Sequence, residues 1–185
     1  MVPVMSLWLP ILLSAVLVFV VSSIIHMVLP YHRTDWRKLP NEDAVLETLR
    51  RFNIPAGDYL APRPDSAAAM KNPEFVAKMK AGPVLVMTVR PGGSSMGRSL
   101  ALWFGYSIVV SVVAAYISGR ALAPGTRYAE VLRFAGCTAF LAYSLALFQN
   151  SIWYWRNWAA TLKSVFDGLT YGVLTGAVFG WFWPR

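Results

Sequence analysis

LWLPILLSAVLVFVVSSIIHMVL, residues 7–29, contains no Asp, Glu, Lys or Arg. A hydrocarbon core about 30 Å thick needs about 20 apolar residues to cross it as a helix rising about 1.5 Å per residue. This block is therefore long enough to span a membrane. Working outward, three more blocks have the same character. Residues 99–119 are uncharged between Arg98 and Arg120, and residues 134–155 are uncharged between Arg133 and Arg156. Residues 164–183 carry a single charge, Asp167, about a turn inside their start. Trp8, Trp103, Tyr116, Trp153, Tyr154, Trp155, Trp181 and Trp183 lie near block ends, where amphipathic rings mark the two interfaces.

The expected fold is all-α transmembrane. Four spans at 6–29, 98–120, 129–155 and 164–184 form a four-helix membrane bundle, with a small α+β cytoplasmic insert over 30–97 between spans one and two. Composition agrees, because 56% of the 185 residues are hydrophobic and only 14% charged, against about a quarter charged in soluble chains. The first block does not read as a cleaved signal. It is longer than a signal core, no basic residue precedes it, and it ends His26-Met27-Val28-Leu29-Pro30 rather than in a small-x-small site. Cys137 stands alone within the third span, so it forms no intrachain disulfide and reads as a small core residue.

Basic residues set the orientation. Arg33, Arg37, Lys38, Arg50, Arg51, Arg63, Lys71, Lys78, Lys80 and Arg90 fall in the insert, and Arg156 and Lys163 lie between spans three and four. The opposite side has Arg120, Arg127, Arg133 and Arg185. The positive-inside rule then places the insert in the cytoplasm and both termini outside. The formal charge of +8 reads as a basic face beside anionic lipid. Nucleic acid is disfavoured, since Asp35, Glu42, Asp43, Glu47, Asp58, Asp65 and Glu74 are interleaved with the basic residues.

Within the insert, Asn41 precedes Glu42 and Asp43, and Val45, Leu46, Leu49 and Phe52 recur on one helical face that must end before Pro55. A second short helix starts at Asn72-Pro73 and runs to Lys80. Residues 83–89 read as a strand with 58–61 as its partner, and 62–69 as the loop between. So small a segment has little core of its own and is expected to rest on the membrane or another chain.

Gly92 to Ser99 matches the phosphate-loop pattern G-x-x-x-x-G-K-[ST] except that Arg98 replaces Lys. The helix that follows is a membrane span and no magnesium-binding acidic strand is visible, so a glycine turn is the better reading. Backbone N–H groups at Gly97, beside Arg98, remain candidates for a lipid phosphate.

The fourth span is the most distinctive. Ala160, Ser164, Gly168, Gly172, Gly176 and Gly180 recur every four residues and make a smooth ridge for close approach of another helix. Ser107, Ser111, Ala115 and Gly119 do the same in the second span, and Thr138, Ala142 and Ala146 in the third. Such faces serve packing within one chain or between chains. Beside the glycines runs a polar stripe, Lys163, Asp167, Tyr171 and Thr175. An ionisable group inside a span faces protein or water, so Asp167 needs a partner. By depth His26, Gln149 and Asn150 share its layer, and Ser22 lies a turn from His26. The plain reading is a clasp between helices, with Asp167 bonded to Lys163, Arg156 or a neighbouring span. The alternative is a site where His26 exchanges a proton and Asp167 orients it. No metal-ligand motif is present: there is no H-E-x-x-H and no Cys pair, and His32 lies outside the span. Glu130 and Arg133 read as an interfacial pair.

Ser22-Ser23 to Leu29-Pro30, Asp35-Trp36, Leu39-Pro40, Lys71 to Phe75, Thr138 to Tyr143 and Phe166-Asp167-Gly168 together resemble a family of small four-span bacterial inner-membrane proteins of unknown function. The resemblance implies no activity, substrate or cofactor. On the sequence alone the preferred function is a non-catalytic membrane subunit or scaffold, packed as a homo-oligomer or in a larger complex. A small transporter or membrane enzyme built on Asp167 and His26 is the rival. An enclosed cavity at the polar layer would favour the rival.

Overall fold

The computed structural model describes residues 1–93 and 95–185. Ser94, within the glycine-rich stretch that resembles a phosphate loop, lies outside the described residues. The chain forms two compact units, one from residues 1–37 and 96–185, the other from 38–95.

The first unit is helical. Its long elements are α1 (Trp8–Ser23), α4 (Met96–Ala121), α5 (Tyr128–Ser144) and α7 (Trp158–Trp181), and the second unit holds α2 (Glu42–Arg51) and α3 (Pro73–Ala81). A short helix α6 (Phe148–Tyr154) follows α5 after a 3₁₀ turn over Leu145–Leu147. Among the described residues three helical stretches are long and apolar enough to cross a membrane: Val4–Val28, Met96–Ala121 and Tyr128–Tyr154. The chain is thus a membrane protein by length and composition of its helices. Helix α7 has the length as well, 24 residues, but Lys163, Asp167 and its glycines make it less apolar.

Helix α5 packs chiefly on α7, α1 on α4 and α7, and α4 on α5. The closest contact is between α5 and α7. A Cβ built on Gly172 would meet the Gly136 carbonyl oxygen at 2.8 Å and Phe140 at 3.0 Å, and one on Gly176 would run into the Leu132 carbonyl. A Cβ on Gly168 would strike the Ser144 hydroxyl, and one on Gly180 the Tyr128 ring at 2.7 Å. The glycine face of α7 therefore lies against α5 of the same chain, backbone to backbone. Its partner on α5 is Gly136, not Thr138, Ala142 and Ala146, of which Ala142 and Ala146 are exposed. Cys137 is also exposed rather than part of the core.

Between α1 and α4 the small face of α4 is buried at Ser107, Ser111, Ala115 and Gly119. The Ser14 hydroxyl donates to Ser111 Oγ at 3.0 Å, so the helices meet through a polar contact that satisfies both side chains. One apolar cluster joins Leu7, Ile11, Ala114, Val131, Ala135, Phe179 and Trp183. A second gathers Val18, Val110, Ala139, Tyr143 and Tyr171, with Trp103 packed on it.

The second unit contains α2 (Glu42–Arg51), β1 (Gly57–Ala61), α3 (Pro73–Ala81) and β2 (Leu85–Val89). The strands pair antiparallel with Gly57 opposite Val89 and Ala61 opposite Leu85. The Thr88 hydroxyl donates to Asp58 Oδ1 at 2.6 Å across the pair. Asn72 caps α3, its side chain accepting from the Glu74 N–H at 2.9 Å with Pro73 in the first turn. Asn41 precedes α2 in a left-handed conformation, φ 49°, and its side chain makes no cap.

Candidate functional site

The site is built where α1 ends. Residues Ile24–Val28 form a π-helical turn, closed by the Leu29 N–H on the Ile24 carbonyl at 3.1 Å. Pro30 has no N–H to continue the ladder and holds Leu29 extended, φ −78° and ψ 142°. The chain then turns through a 3₁₀ stretch, Pro30–His32, with Arg33 N–H on the Pro30 carbonyl at 3.1 Å. This turn folds His32 back beneath His26. The two rings stack with centroids 4.3 Å apart and planes 9° from parallel.

Three elements now converge. From the turn, His32 Nδ1 donates to Asp35 Oδ2 at 2.6 Å. From α7, Lys163 donates to Asp35 Oδ1 at 3.0 Å, to the Tyr31 carbonyl at 2.8 Å and to Thr34 Oγ1 at 2.8 Å. All three ammonium protons are thereby placed. Burial pushes the Asp35 carboxyl up, but hydrogen bonds from His32 and Lys163 outweigh it and hold the group below its ordinary value. Also from α7, Asp167 is 3% exposed, and its Oδ2 lies 2.8 Å from His32 Nε2. These two atoms are buried and close, yet lack the alignment of a hydrogen bond. On the other ring, His26 Nδ1 donates to the Ser22 carbonyl at 3.0 Å. Both histidines thus commit Nδ1 to an acceptor and keep Nε2 for Asp167 or a ligand.

Beside this cluster lies an open-sided cleft of about 500 Å³, not an enclosed cavity. Its polar end holds His26, Asp167, Ser22 and Ser164; its apolar walls include Met27, Leu100, Leu147 and the rings of Trp103, Tyr143 and Tyr171. The rings pack edge to face, Tyr143 on Tyr171 with centroids 5.4 Å apart, and Trp103 Nε1 donates to Ser22 Oγ at 2.8 Å. The Tyr171 hydroxyl is buried without a hydrogen-bond partner among the described residues.

Of the residues expected to share a layer, the structure brings together Asp167, His26 and Tyr171. Gln149 and Asn150 do not line the cavity. Gln149 is exposed on α6, and Asn150 contributes its backbone carbonyl, which accepts from the Arg156 N–H at 3.2 Å. Asp167 is met by His32, not by Lys163 or Arg156. Sequence reasoning set His32 aside because it follows the span; the Leu29-Pro30 pair just before it was the signal of a fold-back. Gly97 and Arg98 stand exposed in the first turn of α4. Glu130 pairs with Arg127 at 3.1 Å, an exposed contact one turn before the expected Arg133. No protein-family model, curated protein or solved structure matches the chain.

Proposed function

We propose that this is a four-span protein of the bacterial inner membrane, with both termini outside, that binds a small amphipathic, lipid-derived molecule beside Asp167 and acts on it as a membrane enzyme or carrier. One observation carries the reading: a buried carboxylate on α7, a helix packed among three that are apolar enough to cross a membrane, opens onto a cleft with apolar walls and a polar end. Its volume, about 500 Å³, falls in the range of about 300–1,000 Å³ typical of ligand sites. Ionisable groups in spans mark substrate or proton paths more often than they serve packing. A clasp needs no cavity, and the small-residue face that argued for a scaffold is occupied by α5 within the chain.

The fourth span is α7, with Lys163 and Asp167 toward the cytoplasmic end of a four-helix bundle. Gly97 and Arg98 at the start of α4 face anionic headgroups in this reading, and the basic insert is cytoplasmic. Every group of the site comes from one chain, so a homo-oligomer or larger complex is compatible with the site but not needed to complete it.

Photoactivatable palmitate, cross-linked to protein in nanodiscs and mapped by mass spectrometry, tests the site. Labelling is expected to concentrate at cavity residues such as Leu147 and Tyr143, and to fall at least tenfold, as an order-of-magnitude expectation, in Leu100→Trp, which fills the cavity. Labels spread evenly over the lipid-facing surface and unchanged in that variant would remove the proposal. Orientation is checked separately. A cysteine at Ala67 is expected to be shielded from impermeant thiol reagents in intact cells, and one at Gly125 to react.

A further inference from the structure

We propose that His26, His32 and Asp167 form a binding site for a divalent transition-metal ion of the zinc type, with an open coordination position toward the cavity. The inference deepens the cavity reading above in its biological use, although the ion could bind whether or not a lipid does. Its first support is proximity: one ligand atom from each residue can be chosen so that all lie within 4.8 Å of one another. Tetrahedral ligands at about 2.0–2.2 Å from zinc sit about 3.3 Å apart, so the set closes when the two stacked rings tilt out of parallel to aim both Nε2 lone pairs at one ion.

Second, the unused atoms are the right ones. Ligating imidazoles characteristically donate their other ring N–H to a carboxylate or a backbone carbonyl, which fixes the tautomer and ring direction. His32 does the first through Asp35 and His26 the second through Ser22, leaving Nε2 of each as the donor pair. Asp35 is itself held by Lys163, so the support behind His32 extends to α7.

Third, the charge calls for a cation. Lys163 is committed to Asp35, and the buried Asp167 Oδ2 has only the misaligned His32 Nε2 within ion-pair reach among the described residues. A metal between these two atoms would satisfy both. Two imidazoles and one carboxylate select zinc and its neighbours over calcium or magnesium, which prefer all-oxygen sites. Three protein ligands leave a fourth position, as at catalytic rather than structural zinc sites. His26 and Asp167 both line the cavity, so that position is reachable from it.

The chain has only two histidines, both in this cluster, which makes the test clean. Full-length protein carrying a histidine-free tag, stripped of metal and held in phosphatidylcholine nanodiscs, is titrated with Zn²⁺ against a chromophoric chelator, and with Co²⁺ as a spectroscopic probe. One ion per chain is expected, with a cobalt d–d band in the wild type. His26→Gln, checked for an unchanged melting temperature, is expected to abolish the band and weaken zinc at least about 100-fold; Asp35→Asn, which touches no ion, is expected to weaken it about 10- to 100-fold. Leu100→Trp should keep the metal while losing palmitate. No uptake by the wild type, or equal uptake by a His26→Gln/His32→Gln double variant, would overturn the site and leave His32 as a plain bridge between two carboxylates. If metal is absent but Leu100→Trp still blocks palmitate, the metal inference fails and the cavity reading stands. If metal binds but palmitate labelling is diffuse, the reverse holds.

Discussion

Helix α7 presents two stripes of opposite character. One is Gly168, Gly172, Gly176 and Gly180, pressed against α5 so closely that an added methyl group would meet backbone at Gly172 and Gly176 and side chains at Gly168 and Gly180. The other is Lys163, Asp167 and Tyr171, set among the α1 turn and the cavity. The glycine stripe removes side chains so that dispersion contacts and close backbone approach hold the helices without a hydrophobic drive, which lipid does not supply. The polar stripe retains groups that are expensive in a membrane and leaves room beside them. Stability and chemistry are thus divided between two sides of one element, and substitutions should separate them.

The largest effect is expected on the glycine side. Gly176→Leu would drive a branched side chain into the Leu132 carbonyl and Gly136, a clash with backbone rather than with a side chain that can turn away. Overpacking costs about 1–3 kcal/mol in ordinary cores, and this case should lie at or above the upper end. Thermal unfolding in detergent and cellular abundance should both fall sharply. Unchanged values would mean that α5 and α7 do not meet as described. Next comes Lys163→Met, which strips Asp35 of its charge partner while His32 remains. Leaving a buried acceptor unsatisfied costs about 1–3 kcal/mol, and palmitate labelling should drop with it.

Asp167→Asn sharpens the contrast. It keeps the shape and most of the hydrogen-bonding capacity, so melting should shift little, by about 1 kcal/mol or less, whereas activity in any complementation assay should be lost because an amide does not exchange a proton. Full complementation by this variant would return Asp167 to the role of a clasp. The smallest functional effect belongs to Ser14→Ala, which removes a hydroxyl bonded to Ser111 on α4 and to the Pro10 and Ile11 carbonyls within α1. About 0.5–1.5 kcal/mol is expected, with labelling intact.

Three spans were legible because membrane helices are written in long uninterrupted windows, and the glycine stripe because small residues at every fourth position leave a trace in the sequence. Asp167 stood out for the same reason that any charge does in such a window. Its partner did not. His32 reaches Asp167 through a turn after Pro30, and no periodicity encodes which way a chain folds after a helix stops. Gln149 and Asn150 were placed by counting along an ideal helix. The 3₁₀ turn over Leu145–Leu147 interrupts that helix, so depth counted from an unbroken spiral no longer tells which way a side chain faces. Small faces were readable but not their pairing: Gly136, isolated in its helix, is what Gly172 and Gly176 actually meet.

The π turn at Ile24–Val28 holds one residue more than a regular turn would need. Deleting either Ile24 or Ile25 would let α1 continue as an ordinary spiral and swing everything after it by about 100° around the axis, carrying His26 and His32 together away from Asp167. The phase of this corner is therefore stored in chain length rather than in side-chain chemistry. A relative with both histidines and the aspartate but one residue fewer here would keep the composition of the site and lose its geometry.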